Sequence, residues 1–407
     1  MYSISSTKAT ISTLSRNQHL VSAIKFVLSN YHGRAVAVRS VLLILAVALP
    51  MLGCGDTTPG GEPKKNLSAQ GVSDSASGTS PVAADSAAAA FTQAPALNDS
   101  TTRHTLKVTP KTGDIYRYRL TQKNDKEQNG LRLKQTSVFN FTTKITGINS
   151  DGSFTLEMRY DSIRIDQAMP PNPMDSVGKT LHFDSRNKLD PSVPGASDMK
   201  ALIGQRVNIT VQNNGKISDV ANVDPIISQM LGAKKDSISP QQRAMLKDAV
   251  KLQYYGVVLP ELFLQFVPDT GVMLGNSWKR LDTLPIGGLP AASTITYRLA
   301  EIRSTQGGAV GSVKVALTAT FPKKNMENKV LTAVINDAKV KGGGEALVNL
   351  TNGFPVRKST SIEAALNMTL TAKAGPQKGI SQQMSQKENS STLVELIEYQ
   401  PGTGAVP

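Results

Sequence analysis

Cysteine is nearly absent from this sequence. Cys54 stands alone in 407 residues, so no intramolecular disulfide, thiol pair or cysteine-ligated metal centre can form. Histidine is also scarce, because His19 and His32 fall in the leader described below and leave only His104 and His182. That count excludes a histidine-rich metal site, no Asp-x-Asp-x-Asp-Gly loop offers calcium ligands, and no cofactor is implied. Aromatic residues make up 5% and Trp278 is the sole tryptophan, which leaves few rings for stacking on sugars or bases. Nucleic acid is therefore not an expected partner. No apolar run reaches the ~20 residues of a membrane-spanning helix.

The longest apolar run, from Val41 to Leu52, is preceded by Arg34 and Arg39 and followed by Gly53, Cys54 and a polar stretch. A basic segment, a short apolar core and a small residue before the cut are the anatomy of an export signal. The residues Met51-Leu52-Gly53-Cys54 resemble the lipobox of bacterial lipoproteins, which directs lipidation of the cysteine and cleavage before it. Met51 and Leu52 depart from the usual Leu and small residue of that motif. The resemblance implies a signal peptide over residues 1–53, cleavage between Gly53 and Cys54, and a lipid anchor on Cys54. The basic segment is long enough to point to a misassigned start codon. Gly55, and not Asp, follows the cysteine, which favours the outer membrane of a Gram-negative envelope.

The formal net charge is +14, of which Lys8, Arg16, Lys25, Arg34 and Arg39 belong to the leader, leaving +9 on the mature chain. These charges are scattered, so they read first as a solvated surface and secondly as attraction toward anionic glycan or lipid headgroups. Residues 54–105 are rich in Ser, Ala, Gly, Thr, Pro and Asp and hold few large apolar side chains, as expected of a disordered tether.

From Leu106 the pattern takes period two, the mark of strands with one buried face. Tyr116, Tyr118 and Leu120 alternate with Arg117 and Arg119, and Phe139 and Phe141 lead to a turn at Asp151-Gly152. Phe154, Leu156, Met158 and Tyr160 return, and Val207, Ile209 and Val211 precede a turn at Asn213-Asn214-Gly215. Between Pro225 and Phe266 the period lengthens, and Ser239-Pro240 is a good helix start. Strands resume around Ile295, Val313, Leu347, Ile362 and Leu393, with a turn at Asn352-Gly353 after Leu347.

The expected fold is α+β, mainly antiparallel β. It comprises a first β region over 106–222, a helical segment over 223–268, a second β region over 269–400 and a tail over 401–407. Curved sheet or sheets would carry the helices. Gly113-Asp114-Ile115-Tyr116 matches Gly275-Asn276-Ser277-Trp278 in spacing, which reads either as a distant duplication or as two instances of a common turn.

The segments GDIYRYRLTQ, SDGSFTLEMRYDSI, LIGQRVNITVQNNGKISDV and LPELFLQFVPDTGVMLGNSWKR resemble a family of uncharacterised bacterial lipoproteins with a β-rich domain of unknown function. These motifs are turns and aromatics, so the resemblance implies a fold and no catalytic residues.

Ser185-Arg186-Asn187-Lys188 and Ser197-Asp198-Met199-Lys200 match the Ser-x-x-Lys of penicillin-interacting enzymes, but Lys111-Thr112-Gly113 precedes both where those enzymes place it downstream. His182, read in the loop LHFDSRN, has no Gly-x-Ser-x-Gly elbow to pair with. With no catalytic motif, the expected function is a non-catalytic binding module for an apolar ligand or an envelope protein. The alternatives are a structural lipoprotein without a small ligand and an envelope hydrolase. An apolar ligand would lie beneath the helices against Ile226, Met230, Leu246, Val250, Leu262 and Phe266, and would need a large apolar cavity there.

Overall fold

A computed structural model describes residues 91–402, apart from 98–99, 170–177, 191, 233–237, 255–257, 265–266, 287–288, 306, 323, 328–330 and 374–377. The expected leader, Cys54 and most of the tether lie outside these residues.

The first β region contains β1 (Arg103–His104), β2 (Ile115–Gln128), β3 (Leu131–Ile148), β4 (Phe154–Met169), β5 (Lys179–Asp184), β6 (Arg206–Val211) and β7 (Ile217–Ala221), with helix α1 (Ala196–Leu202) before β6. Helices α2 (Asp224–Leu231) and α3 (Pro240–Gln253) and a 3-10 turn at Leu259–Glu261 follow. The second region contains β8 (Val272–Met273), β9 (Ser277–Ile286), β10 (Leu289–Thr305), β11 (Gly308–Thr320), β12 (Asn325–Glu327), β13 (Leu331–Asn349), β14 (Pro355–Ala372) and β15 (Ser381–Gln400).

β1 and β8 pair with each other in a separate two-stranded sheet. The other thirteen of these strands, from both β regions, form one curved, open sheet, with β5 and β12 pairing β4 and β13 off its main path. Its path runs β7-β6-β4-β3-β2-β15-β14-β13-β11-β10-β9, and every pairing along it is antiparallel. The first long strand, β2, and the last strand, β15, therefore meet at the centre, in a register from Ile115↔Gln400 to Gln128↔Gln386. The edges, β7 and β9, flank the helical segment in sequence.

The local chemistry follows the expectations where turns and caps carry it. The Ser239 side chain accepts from the Gln242 N–H and the Gln242 side chain reaches back to the Ser239 N–H, a capping box with Pro240 in the first turn. Gly152, Gly215 and Gly353 hold positive φ at the three expected turns. At Gly353 a Cβ would lie 2.2 Å from the Lys107 carbonyl oxygen, so the close approach of these two segments requires glycine there. The β2–β3 hairpin turns at Asn129-Gly130, φ 51° and 82°, an Asn-Gly signal present in the sequence and not used above. Gly113 and Gly275 share a positive φ before β2 and β9, but β2 is central in the sheet and β9 is an edge.

One face of the sheet is covered. Tyr116, Tyr118 and Leu120 of β2, Phe139 and Phe141 of β3, and Leu156, Met158 and Tyr160 of β4 pack with Ile226, Ile227, Val250, Tyr254, Leu262 and Phe263 from the helical segment. Rings dominate this contact: Tyr116 stacks on Phe354 at 4.1 Å, and Phe263 meets Phe154 at 6.1 Å and Phe354 at 5.8 Å. Such pairs contribute about 0.5–1.5 kcal/mol each beyond the area they bury. A buried ion pair, Lys358 Nζ to Glu261 Oε2 at 3.0 Å, ties the 3-10 turn to β14.

The far end of the expected tether is ordered. Phe91 packs with Val310, Leu347 and Val356, and the Arg303 guanidinium sits 5.3 Å from its ring. Ala96 bridges Arg303, and the Leu97 N–H donates to the Ile302 carbonyl at 2.8 Å, extending the sheet beside β10. Phe91 and Leu97 are the large apolar residues that the polar composition of this stretch concealed.

Candidate functional site

Five of the six residues expected to line an apolar site come together. Ile226, Val250 and Leu262 are buried in the main core, and Met230 and Leu246 pack at its border. Phe266 lies outside the described residues. The space between helices and sheet there is occupied by side chains of one continuous core, with Ile226 at 0% and Leu262 at 1% exposure.

A concavity lies instead on the open face, opposite the helices. It holds about 310 Å³ and is lined by Arg119, Thr121, Val138, Asn140, Ser162, Arg164, Asp184 and Arg186. Alternation in β2 and β3 sends Tyr118, Leu120, Phe139 and Phe141 to the covered side and Arg119, Thr121, Val138 and Asn140 to the other. Register then builds two adjacent rows across the strands. One is Arg119–Asn140–Ser162 and the other is Thr121–Val138–Arg164–Asp184.

The first row is hydrogen-bonded end to end. Arg119 Nε donates to Asn140 Oδ1 at 3.4 Å, and Asn140 Nδ2 donates to Ser162 Oγ at 2.8 Å. A register shift beside Asn140 sets Tyr160 and Ser162 against consecutive residues of β3. A bulge of this kind bends its strand and raises the local twist, which opens a depression on an otherwise even surface.

In the second row Arg164 Nε donates to Asp166 Oδ2 at 2.9 Å. Arg186 grips Asp184 through Nε, to Oδ1 at 3.0 Å and Oδ2 at 3.2 Å, and through Nη2, to Oδ2 at 2.6 Å. Those guanidinium bonds, reinforced by the Arg186 backbone N–H, pull the Asp184 carboxyl down to about 2. It is ionised throughout the physiological range, and Arg186 is held over the groove.

His182 is not in a loop. It stands on β5, opposite Asp166, with its Nδ1 2.5 Å from Asp166 Oδ1, half exposed on the open face. Six residues with strand alternation, LHFD among them, were legible as β but were masked by the loop-like Ser185–Asn187 that follows. Ser197 stands in the first turn of α1, the place an acyl-enzyme serine takes, yet Lys200 Nζ donates to the Ser185 carbonyl, away from its own helix. Ser185 Oγ in turn accepts the Ile163 N–H at 2.9 Å. Among the described residues no three His, Cys, Asp or Glu side chains group as metal ligands.

The groove residues were not singled out in the sequence. By sequence Arg119 is the polar alternate of a strand, and Arg186 falls within a Ser-x-x-Lys match. Only register brings them together.

A family model described as "Family of unknown function (DUF6263)" matches residues 151–355, from the β3–β4 turn to the start of β14. The chain belongs to this family. The matched stretch includes Ser162, Arg164, Asp184 and Arg186 of the groove and helices α1 to α3. No curated protein matches the chain. Among solved structures it is similar to lipovitellin, described by the words "lipid-protein interactions in lipovitellin", at 11% identity and a TM-score of 0.38, covering 73% of this chain and 26% of that one. The chain thus spans about a quarter of lipovitellin's length. A DUF1329 family protein from Desulfovibrio piger shows 9% identity, a TM-score of 0.17 and coverage of 72% and 88%. The translocator domain of the autotransporter NalP from Neisseria meningitidis shows 10%, 0.13, and 77% and 98%. Overlaps this loose carry no functional assignment.

Proposed function

We propose that this protein is a non-catalytic binding module of the cell envelope, anchored through a lipid on Cys54 at the outer membrane, and that it engages its partner on the open face of its sheet. The supporting observation is a polar depression on the open face beside a helix-covered side that is filled with side chains among the described residues. The helix-covered side is packed with Ile226, Val250, Leu262 and Phe263, while the depression of about 310 Å³ is on the other side and is polar. An apolar ligand beneath the helices would have to displace core side chains, each worth about 2–5 kcal/mol when truncated. A partner on the open face displaces only water. An envelope hydrolase would need a hydroxyl against His182, whose hydrogen-bond partner among the described residues is Asp166.

Photo-crosslinking in cells tests this reading. A benzophenone residue at Lys144 on the open face should give a discrete adduct, and one at Asp248 on α3 should not. Native mass spectrometry that found lipid held inside the purified protein, with no adduct from Lys144, would overturn it in favour of an apolar carrier. Radiolabelled fatty acid entering wild type and equally entering Cys54→Ala would overturn the anchor.

A further inference from the structure

We propose that the open-face groove binds a phosphate ester carrying free hydroxyls, the chemistry shared by an anionic phospholipid headgroup and a phosphorylated envelope sugar. This deepens the reading of the open face as the binding surface and rests on it.

The charge of the lining selects the class. Three guanidiniums, of Arg119, Arg164 and Arg186, face one lining carboxylate, Asp184. A guanidinium has five N–H donors, and these three spend few on protein: Arg119 makes one long bond to Asn140, Arg164 uses Nε on Asp166, and Arg186 uses Nε and Nη2 on Asp184. Among the described residues, donors therefore remain on three sides of one depression. A carboxylate is satisfied by a single bidentate fork, whereas a phosphate presents acceptors in several directions and suits convergent arginines.

The remaining lining selects within the class. Thr121 and Ser162 place hydroxyls beside the arginines, complementary to the hydroxyls of glycerol or a sugar, and Val138 gives a small apolar floor. Among the described residues no aromatic side chain lines the groove, so a neutral sugar finds no stacking platform there. A volume of about 310 Å³ lies at the small end of ligand sites, the size of a headgroup and not of an acyl chain. Asp184 has a positioning part: it fixes Arg186 in place and limits the net charge, so that a monoester or diester is accommodated without a polyanion being required. The basic surplus of the chain adds long-range attraction for such a ligand.

The test titrates the full-length protein, in a neutral detergent, with soluble dihexanoyl-phosphatidylglycerol, glucose phosphate, dihexanoyl-phosphatidylcholine, glucose and inorganic phosphate, followed by microscale thermophoresis. Phosphatidylglycerol or glucose phosphate should bind at least about tenfold more tightly than phosphatidylcholine and glucose, and Arg119→Ser with Arg164→Ser should lower that affinity by about tenfold or more, as expected for lost charged hydrogen bonds. The tighter of the two esters identifies the source as lipid or glycan. Lys279→Ser with Lys339→Ser, which removes the same charge from exposed positions on β9 and β13, should leave binding unchanged. An equal loss in that control would reduce the effect to general surface charge and overturn the proposal, as would inorganic phosphate binding as tightly as the esters, or no binding of any phosphate. In the last case a protein adduct from Lys144 would still leave the binding-module reading standing.

Discussion

Asp114 is the residue whose loss should cost the fold most for its size. It is 1% exposed and its carboxylate accepts four hydrogen bonds. Oδ2 takes the Lys111 N–H at 2.8 Å and the Tyr116 hydroxyl at 3.1 Å, and Oδ1 takes the Tyr399 hydroxyl at 3.1 Å and the Gly402 N–H at 2.9 Å. These donors come from both sides of the β2–β15 seam, so one side chain ties the start of the folded chain to its end. Burial and the Asp114 charge together push the Tyr116 phenol far above its ordinary range, so it remains a donor at any accessible pH. Asp114→Ala removes all four acceptor contacts. The exposed Tyr399 and Lys111 recover water, but Tyr116, 1% exposed, is left with a buried hydroxyl whose desolvation costs about 1–3 kcal/mol. Adding the partly recovered bonds to a charged acceptor gives a loss of about 3–5 kcal/mol. Asp114→Asn keeps one oxygen and turns an amide N–H₂ toward two donors, for about 2–3 kcal/mol. Urea unfolding followed by circular dichroism should show a lower midpoint at unchanged slope, and amide exchange at Gly402 should quicken before that of central β3. A loss below about 1 kcal/mol for Asp114→Ala, or an Asn variant as stable as wild type, would refute the account of the seam.

Leu262→Ala should destabilise by about 2–5 kcal/mol with no change in bound lipid, read by denaturation and mass spectrometry; a neutral effect would reopen a cavity beneath the helices. Lys358→Met removes the 3.0 Å ion pair to Glu261 and should cost up to about 3–5 kcal/mol, whereas Lys358→Met with Glu261→Leu should recover most of it in the same assay. Asp184, held near 2 by Arg186, stabilises the fold at every pH above its unfolded value near 4, and that contribution disappears as pH falls through about 2. Arg186→Ala should return the carboxyl toward its ordinary value in a carbon-detected NMR titration, and an unmoved titration would show that another group holds it.

Much of this molecule was legible because local chemistry decides it. Period-two alternation placed Tyr116, Tyr118, Phe139, Phe141, Leu156 and Tyr160 on one face of their strands, and all six are buried there. The turns at Gly152, Gly215 and Gly353 and the cap at Ser239 depend on neighbouring residues alone, and each forms as expected. Composition was a weaker guide where single apolar residues sit in polar surroundings, so Phe91 was assigned to a tether although Arg303, Val310 and Leu347 hold it.

What the tertiary structure decided was partnership. Nothing in the spacing of residues announces that β2 pairs with β15, more than 250 residues away, since an antiparallel strand offers the same N–H and C=O groups to any partner of suitable register. That single pairing turns two apparent β regions into one sheet and leaves the helices to cover one face. The same register carries Arg119, Arg164 and Arg186 from three separate segments into one groove, and charges that are scattered along the sequence become convergent because neighbouring strands lie only about 4.8 Å apart.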